Sequence, residues 1–291
     1  MINIKNYIIL LSIFSSSINA RILNTTEFDI STTNLNIKRE YSSYFNKDSN
    51  SYKKDTKLES SLIAINLGIS SHIANNLSLF SSLTLGIKNR DNKIYEHGYN
   101  IGNEISSPSY LNLYDEFNSG NLSYNSWKVG VRTAPLRFST IGIYIAKETI
   151  GSNPESNNGT FFPHTDYKED TKKLEAYVNT NYPITPMITV GISNILSLRN
   201  SEIKQTYFYL GADNYVSFDS SSFEILTSPY IKAVLTPRFD FELNLTRSMF
   251  KALNHRNEKL VQNSGDPISN VKFDEYSGEE SSINLSLSYS I

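Results

Sequence analysis

The 291-residue chain is 39% hydrophobic and 19% charged, and its 27 basic and 29 acidic side chains leave a formal net charge of −2. That balance excludes a nucleic-acid binder, which needs a basic excess to meet phosphate, and the apolar and aromatic content excludes a disordered chain. No cysteine is present, so neither a disulfide scaffold nor a cysteine-linked lipid anchor is available.

Residues 1–20, MINIKNYIILLSIFSSSINA, join a positive start at Lys5 to an apolar run and a Ser-rich segment ending at Ala20. This is the pattern of a secretory signal peptide cleaved after Ala20, and the run is too short for a membrane-spanning helix. The remaining residues, 21–291, contain no apolar run of membrane-helix length.

From residue 26 onward the signal is alternation of period two, the mark of half-buried strands. A first strand is expected within 26–45. Phe28 and Ile30 sit at even positions there, whereas Leu35, Ile37 and Tyr41 sit at odd ones, so a bulge is expected near Thr33. Strands follow at 60–70 and 77–88 about the turn HIANN. Three more pairs follow: 127–132 with 138–148, 173–182 with 187–197, and 222–235 with 239–250. Their turns carry Pro135, Pro183, Pro186 and Pro237, as tight turns favour. Pro229 lies inside a strand pattern, where it removes a ladder donor. The last strand, 281–291, alternates Ile283, Leu285, Leu287, Tyr289 and Ile291 with polar residues.

Short turns therefore alternate with long polar connections at 46–57, 89–125, 149–172, 198–221 and 251–280. An even number of antiparallel strands with short turns at one end and long loops at the other is the layout of an all-β, closed, up-and-down transmembrane β-barrel. The expected count is ten. The segment 205–218 alternates enough to form a further hairpin, which would make twelve.

In this reading the Leu/Ile/Val faces meet lipid, with aromatic girdles at Tyr41, Trp127, Tyr182, Phe223, Phe239 and Phe250. The polar faces line the lumen with Lys88, Lys128, Arg132, Glu175, Lys232, Asp240 and Glu242, a mixture of signs that allows pairing across the barrel. Tyr110, Tyr114, Tyr207, Tyr209 and Tyr215 fall on the long connections, where aromatics can cover an external ligand.

The terminal stretch INLSLSYSI resembles the C-terminal strand of bacterial outer-membrane barrels, although it ends in Ile291 and not in an aromatic residue. The resemblance implies outer-membrane localisation in a Gram-negative cell, contact with outer-membrane lipid and lipopolysaccharide, and recognition of the last strand by the barrel-assembly machinery. Ten strands is also the size of the omptin proteases, whose rim carries an Asp-x-His pair. The nearest match is His164-Thr165-Asp166 in reversed order, and the acidic pair Asp115-Glu116 has no histidine set to face it. His72, His97 and His255 are isolated, and no spacing predicts a metal or another cofactor.

The pattern therefore predicts no enzyme. It predicts a small channel or transporter, with a non-conducting surface barrel that binds a ligand or host surface through its loops as the alternative. An omptin-like protease is the third reading.

Overall fold

The computed structural model describes residues 26–47, 50–74, 76–100, 113–118, 121–136, 138–153, 165–209, 212–261 and 269–291. The signal segment 1–20, Tyr110 and His164 lie outside the described residues. Eleven strand segments follow one another: β1 (Thr26–Lys47), β2 (Asn50–Ala74), β3 (Leu77–Asn100), β4 (Leu113–Asn118), β5 (Asn121–Leu136), β6 (Ser139–Asn153), β7 (Thr165–Thr185), β8 (Ile188–Tyr209), β9 (Ala212–Thr236), β10 (Phe239–Val261) and β11 (Ser269–Ser290). Every pairing is antiparallel. β4 and β5 both pair with β3 and form the upper and lower parts of one interrupted strand. β1 pairs with β11 and β2 with β3, so the ring closes on ten strands, and among the described residues only β4 pairs on one side alone.

The short turns follow from their residues. Thr185 Oγ1 accepts hydrogen bonds from the backbone N–H groups of Met187 and Ile188. Thr236 Oγ1 does the same for Arg238 and Phe239. Each threonine thus satisfies donors that a tight turn leaves without ladder partners. At Pro229 the ladder to β10 skips Ser228 and Pro229 with no shift of register, and the Ser228 and Thr246 hydroxyls bond across the gap at 2.9 Å.

Three expectations need correction. β1 keeps one register from Glu27 to Glu40 against β11 and from end to end against β2, so there is no bulge at Thr33. Leu35, Ile37 and Tyr41 change phase because they point into the barrel and pack there, buried. Secondly, most of each long connection is strand: β8 runs to Tyr209 and β9 starts at Ala212, so 205–218 prolongs one hairpin and adds no strands to the ring. Thirdly, Tyr41 and Phe250 are buried in the lumen, while Tyr182, Phe223 and Phe239 are exposed on the outside.

The outer face carries a belt of exposed apolar side chains, among them Ile143, Ile145, Leu174, Leu196, Leu198, Ile225 and Leu285. It stops sharply. Above it the outward positions are Ser61, Lys147, Lys172, Asn200, Ser221 and Ser281. A belt of this kind would be costly to leave in water, at about 25 cal/mol per Å² of apolar surface, and suits hydrocarbon. β2 and β9 have 25 residues each. A strand crosses hydrocarbon in about 9–11 residues, so the barrel continues well beyond the belt on the side away from the short turns.

Candidate functional site: a filled lumen

Inside the barrel, at the upper edge of the belt, seven charged side chains meet. They are Arg39 on β1, Glu148 on β6, Glu169 and Lys173 on β7, Arg199 on β8, Glu224 on β9 and Glu280 on β11. Arg39 Nε donates to Glu169 Oε2 at 2.9 Å, and its Nη2 donates to Glu280 Oε1 at 2.5 Å and Glu148 Oε1 at 3.3 Å. Arg199 donates from Nη2 to Glu169 Oε1 at 2.8 Å and from Nη1 to Glu224 Oε1 at 3.3 Å. Lys173 and Arg199 are cross-strand neighbours of like charge. Lys173 Nζ relieves that repulsion by lying 3.1 Å from Glu148 Oε2 and 3.0 Å from Glu224 Oε2. The side chains of Arg39, Arg199 and Glu169 are 0% exposed.

Aromatic groups pack this layer. The Arg199 guanidinium lies 3.7 Å from the Phe250 ring centroid and that of Arg39 lies 5.0 Å from it. Phe250 can lie flat there because its cross-strand partner is Gly278. A Cβ at that position would come within 2.5 Å of Phe250 Cε1. Tyr41, Tyr167, Phe218, Phe273 and Tyr276 fill the next level, Phe218 and Phe273 stacking with centroids 4.0 Å apart. Phe273 and Tyr276 both point inward, three residues apart, because β11 bulges at Glu275, whose φ is 55°.

Glu169 and Glu280 stand level with the outward polar residues Lys168, Asp170, Glu279 and Ser281, outside the apolar belt. Burial pushes the Glu169 carboxyl up, but Arg39 and Arg199 outweigh it and hold the group well below the usual carboxylate range. Glu280 is raised, by burial first and by Glu148 second, against the pull of Arg39.

Of the lumen residues expected from the sequence, Glu175 is buried with its Oε2 2.6 Å from Lys128 Nζ. Lys232 lies 2.7 Å from Asp240 and stands across from Glu242. Arg132 faces the lumen beside Tyr144. These groups lie nearer the short turns than the seven-charge layer and are not part of it. Lys88 is exposed and pairs with Ile63 on the outward face, because the extra residue Ile87 shifts the register there. The backbones of Tyr114, Tyr207, Tyr209 and Tyr215 lie in the upper ends of β4, β8 and β9. His72 belongs to the end of β2, and its Nδ1 lies 2.9 Å from Ser78 Oγ.

Sequence reasoning missed the main layer. Glu169, Arg199 and Glu280 lie beyond the strand ends drawn from the apolar pattern, and Arg39 and Glu148 fall inside the segments 26–45 and 138–148, where nothing in the apolar pattern singles them out. Continuing the alternation past the last Leu or Ile of each strand finds them, since each sits an even number of residues from a buried neighbour on the same strand. Among the described residues no group of three or more His, Cys, Asp or Glu side chains is set to hold a metal ion.

No protein-family model matches the chain, and no curated protein matches it. Solved structures do. The outer membrane protease OmpT from Escherichia coli aligns over 92% of this chain and 97% of its own, with a TM-score of 0.65 and 11% identity. The translocator domain of the autotransporter NalP from Neisseria meningitidis aligns over 98% and 94%, with a TM-score of 0.43 and 12% identity. Neisserial surface protein A aligns over 91% and 96%, with a TM-score of 0.31 and 10% identity. At these identities the likeness is one of architecture. The chain has the fold of a bacterial outer-membrane β-barrel.

Proposed function

We propose that the chain is an outer-membrane barrel with a closed lumen, whose strand extensions form a recognition surface for an external ligand. The observation that carries this reading is the Arg39–Glu169–Arg199 layer, wholly buried and strung across the barrel axis. A solute path would have to cross it, at the cost of separating several buried ion pairs, each strongly unfavourable to break. This weighs against the channel reading that the charged lumen suggests from sequence. Ten strands leave little interior that side chains cannot fill.

The extension supports the other half. From Leu198, the top of the belt on β8, the strand continues for about 11 residues to Tyr209, roughly 25 Å of height at the usual tilt. Its tip is rich in tyrosine, at Tyr207, Tyr209 and Tyr215. Tyrosines give large contact area at low entropic cost. Export through cleavage after Ala20, assembly through the last strand, and lipopolysaccharide around the belt belong to the same reading. The protease alternative lacks its pair, since Asp-x-His occurs nowhere in the sequence.

The test is planar-bilayer recording on the refolded chain. Silence at both polarities is expected, and steady unitary currents from folded protein would overturn the closed-lumen half. Exchanging residues 207–215 for a Gly/Ser turn is expected to abolish surface binding to intact cells or matrix while heat-modifiable gel migration persists. Unchanged binding refutes the recognition half.

A further inference from the structure

Arg132 is the one lumen-facing cation among the described residues with no carboxylate beside it. Lys128, Lys173, Lys232, Arg39 and Arg199 each lie within ion-pair distance of at least one. Arg132 Nε donates to Tyr144 Oη at 2.5 Å, and its guanidinium lies 3.8 Å from the Phe80 ring centroid and 5.2 Å from that of Tyr177. The two terminal nitrogens, Nη1 and Nη2, have no hydrogen-bond partner among the described residues.

The surroundings hold this arrangement in place. Phe80, Tyr144 and Tyr177 form a row, with centroids 5.6 Å and 5.5 Å apart. Tyr144 can lie down against the wall because Gly130 is its cross-strand partner, where a Cβ would come within 2.3 Å of Tyr144 Cδ1. Three rings and one hydrogen bond from Nε thus hold the guanidinium, and its two terminal nitrogens are left for another acceptor. Ser78 stands directly across from Arg132 with its hydroxyl bonded to His72, adding polar groups to the same rim. Of the acidic residues below the layer, Asp240 and Glu242 are on β10, as far round the ten-strand ring from β5 as a strand can be, Glu27 and Asp29 are on β1 beside Lys232 and Ser288, and Glu175 on β7 is bonded to Lys128. Asp240 is already bonded to Lys232.

We infer that Arg132 is an oxyanion site in the vestibule at the short-turn end of the barrel, taking a carboxylate or phosphate group that enters from that side. A planar guanidinium with a free pair of donors matches both groups, since each offers two oxygens at the right spacing. The Tyr144 hydroxyl and the ring row act as positioning groups. They fix the fork before the anion arrives, which lowers the entropic cost of binding. The site lies on the inner side of the seven-charge layer, so it is independent of whether the upper end binds a ligand.

The test is a titration of the full folded chain in lipid nanodiscs, following the Arg132 side-chain Nε–Hε signal and the backbone amides of Ser78 and Gly142 by NMR. Inorganic phosphate and acetate are added separately, with sodium chloride at matched ionic strength as the reference. Saturable shifts with phosphate, acetate or both are expected, and the stronger of the two identifies the preferred group. Arg132→Gln should weaken the response at Ser78 and Gly142 by roughly ten- to a hundredfold, while Arg247→Gln on the outer face should not. Tyr144→Phe should weaken it by a smaller factor. Shifts that track chloride alone, or a response retained in Arg132→Gln, would overturn the site. Heat-modifiable migration of each variant establishes that it has folded.

Discussion

Arg39 Nε lies 2.9 Å from Glu169 Oε2, and the two residues come from β1 and β7, which stand on opposite sides of the ring with four strands between them either way. One ion pair therefore spans the full width of the barrel. Both side chains are wholly buried, so the pair must offset the loss of water from two charges. Arg39→Ala should cost about 3–5 kcal/mol, the usual size when one partner of a buried pair is removed. Replacing both residues by methionine should cost clearly less than Arg39→Ala or Glu169→Ala alone, since no unpaired charge remains from that pair. Urea unfolding in lipid vesicles measures this, and a double substitution as costly as the sum of the singles would contradict it.

The layer holds three cations and four carboxylates, so one carboxylate is in excess. Glu280 is raised in the fold, and its contribution to stability is complete below the unfolded carboxylate range and lost as pH rises through its folded value. Glu169 is lowered, and its contribution is present above the unfolded range and lost as pH falls. Glu280→Gln should therefore be neutral or stabilising at pH 7, whereas Glu169→Gln should destabilise by about 3 kcal/mol there, through loss of a buried paired charge. The Glu169 penalty should shrink on acidification. Unfolding midpoints at pH 7 and pH 4 decide it, and the same sign for both variants at pH 7 would count against the assignment.

Where the sequence could be read, and where it could not, follows from what each residue faces. Ile283, Leu285 and Leu287 alternate with asparagine and serine because lipid lies on one side and a polar lumen on the other, and period two exposes that contrast directly. Above the belt the contrast inverts. On β1, Leu35, Ile37 and Tyr41 are the buried residues, and Lys38 and Glu40 are outside. A rule that sends apolar side chains outward must misplace them, which is how an apparent phase change at Thr33 arises in an unbroken strand. Arg39 is harder still. In the run Lys38-Arg39-Glu40 nothing local distinguishes the middle charge, and its partners are 109, 130 and 241 residues away along the chain.

Gly278 exists for the ring of Phe250. Built with a Cβ, it would meet Phe250 Cε1 at 2.5 Å and Arg39 Cδ at 2.9 Å, so the ring and the arginine beneath it must both shift. Gly278→Ala should destabilise by about 1–3 kcal/mol, the cost of overpacking a filled interior. Adding Phe250→Leu, which removes the crowded ring edge, should return part of that loss. Equal stability of Gly278→Ala and wild type in the same urea assay would rule the contact out.

Glu275 takes φ of 55°, a backbone state that costs a residue with a Cβ roughly 1–2 kcal/mol. Its amide is held by the Asp274 side chain at 2.9 Å, and the bulge it makes turns Tyr276 into the lumen. Glu275→Gly should stabilise by about 1 kcal/mol, less the extra freedom glycine gives the unfolded chain. Glu275→Val, with a β-branched side chain, should destabilise. A stabilising valine would mean the bulge is absent.

The position of the membrane can be read from one strand. On β8, Leu196 and Leu198 are exposed and apolar, and Asn200, the next outward residue, is exposed and polar. If hydrocarbon ends between Leu198 and Asn200, a charge at Leu196 must be carried into lipid while one at Asn200 need not. Leu196→Arg should cost up to about 2 kcal/mol, less than the 2–4 kcal/mol expected at the bilayer midplane because it lies near the edge. Ile192→Arg, two outward positions deeper, should approach the midplane value, and Asn200→Arg should cost close to nothing. Refolding equilibria in vesicles give the three numbers in order. A flat series would place β8 in water along its whole length and remove the membrane from the account.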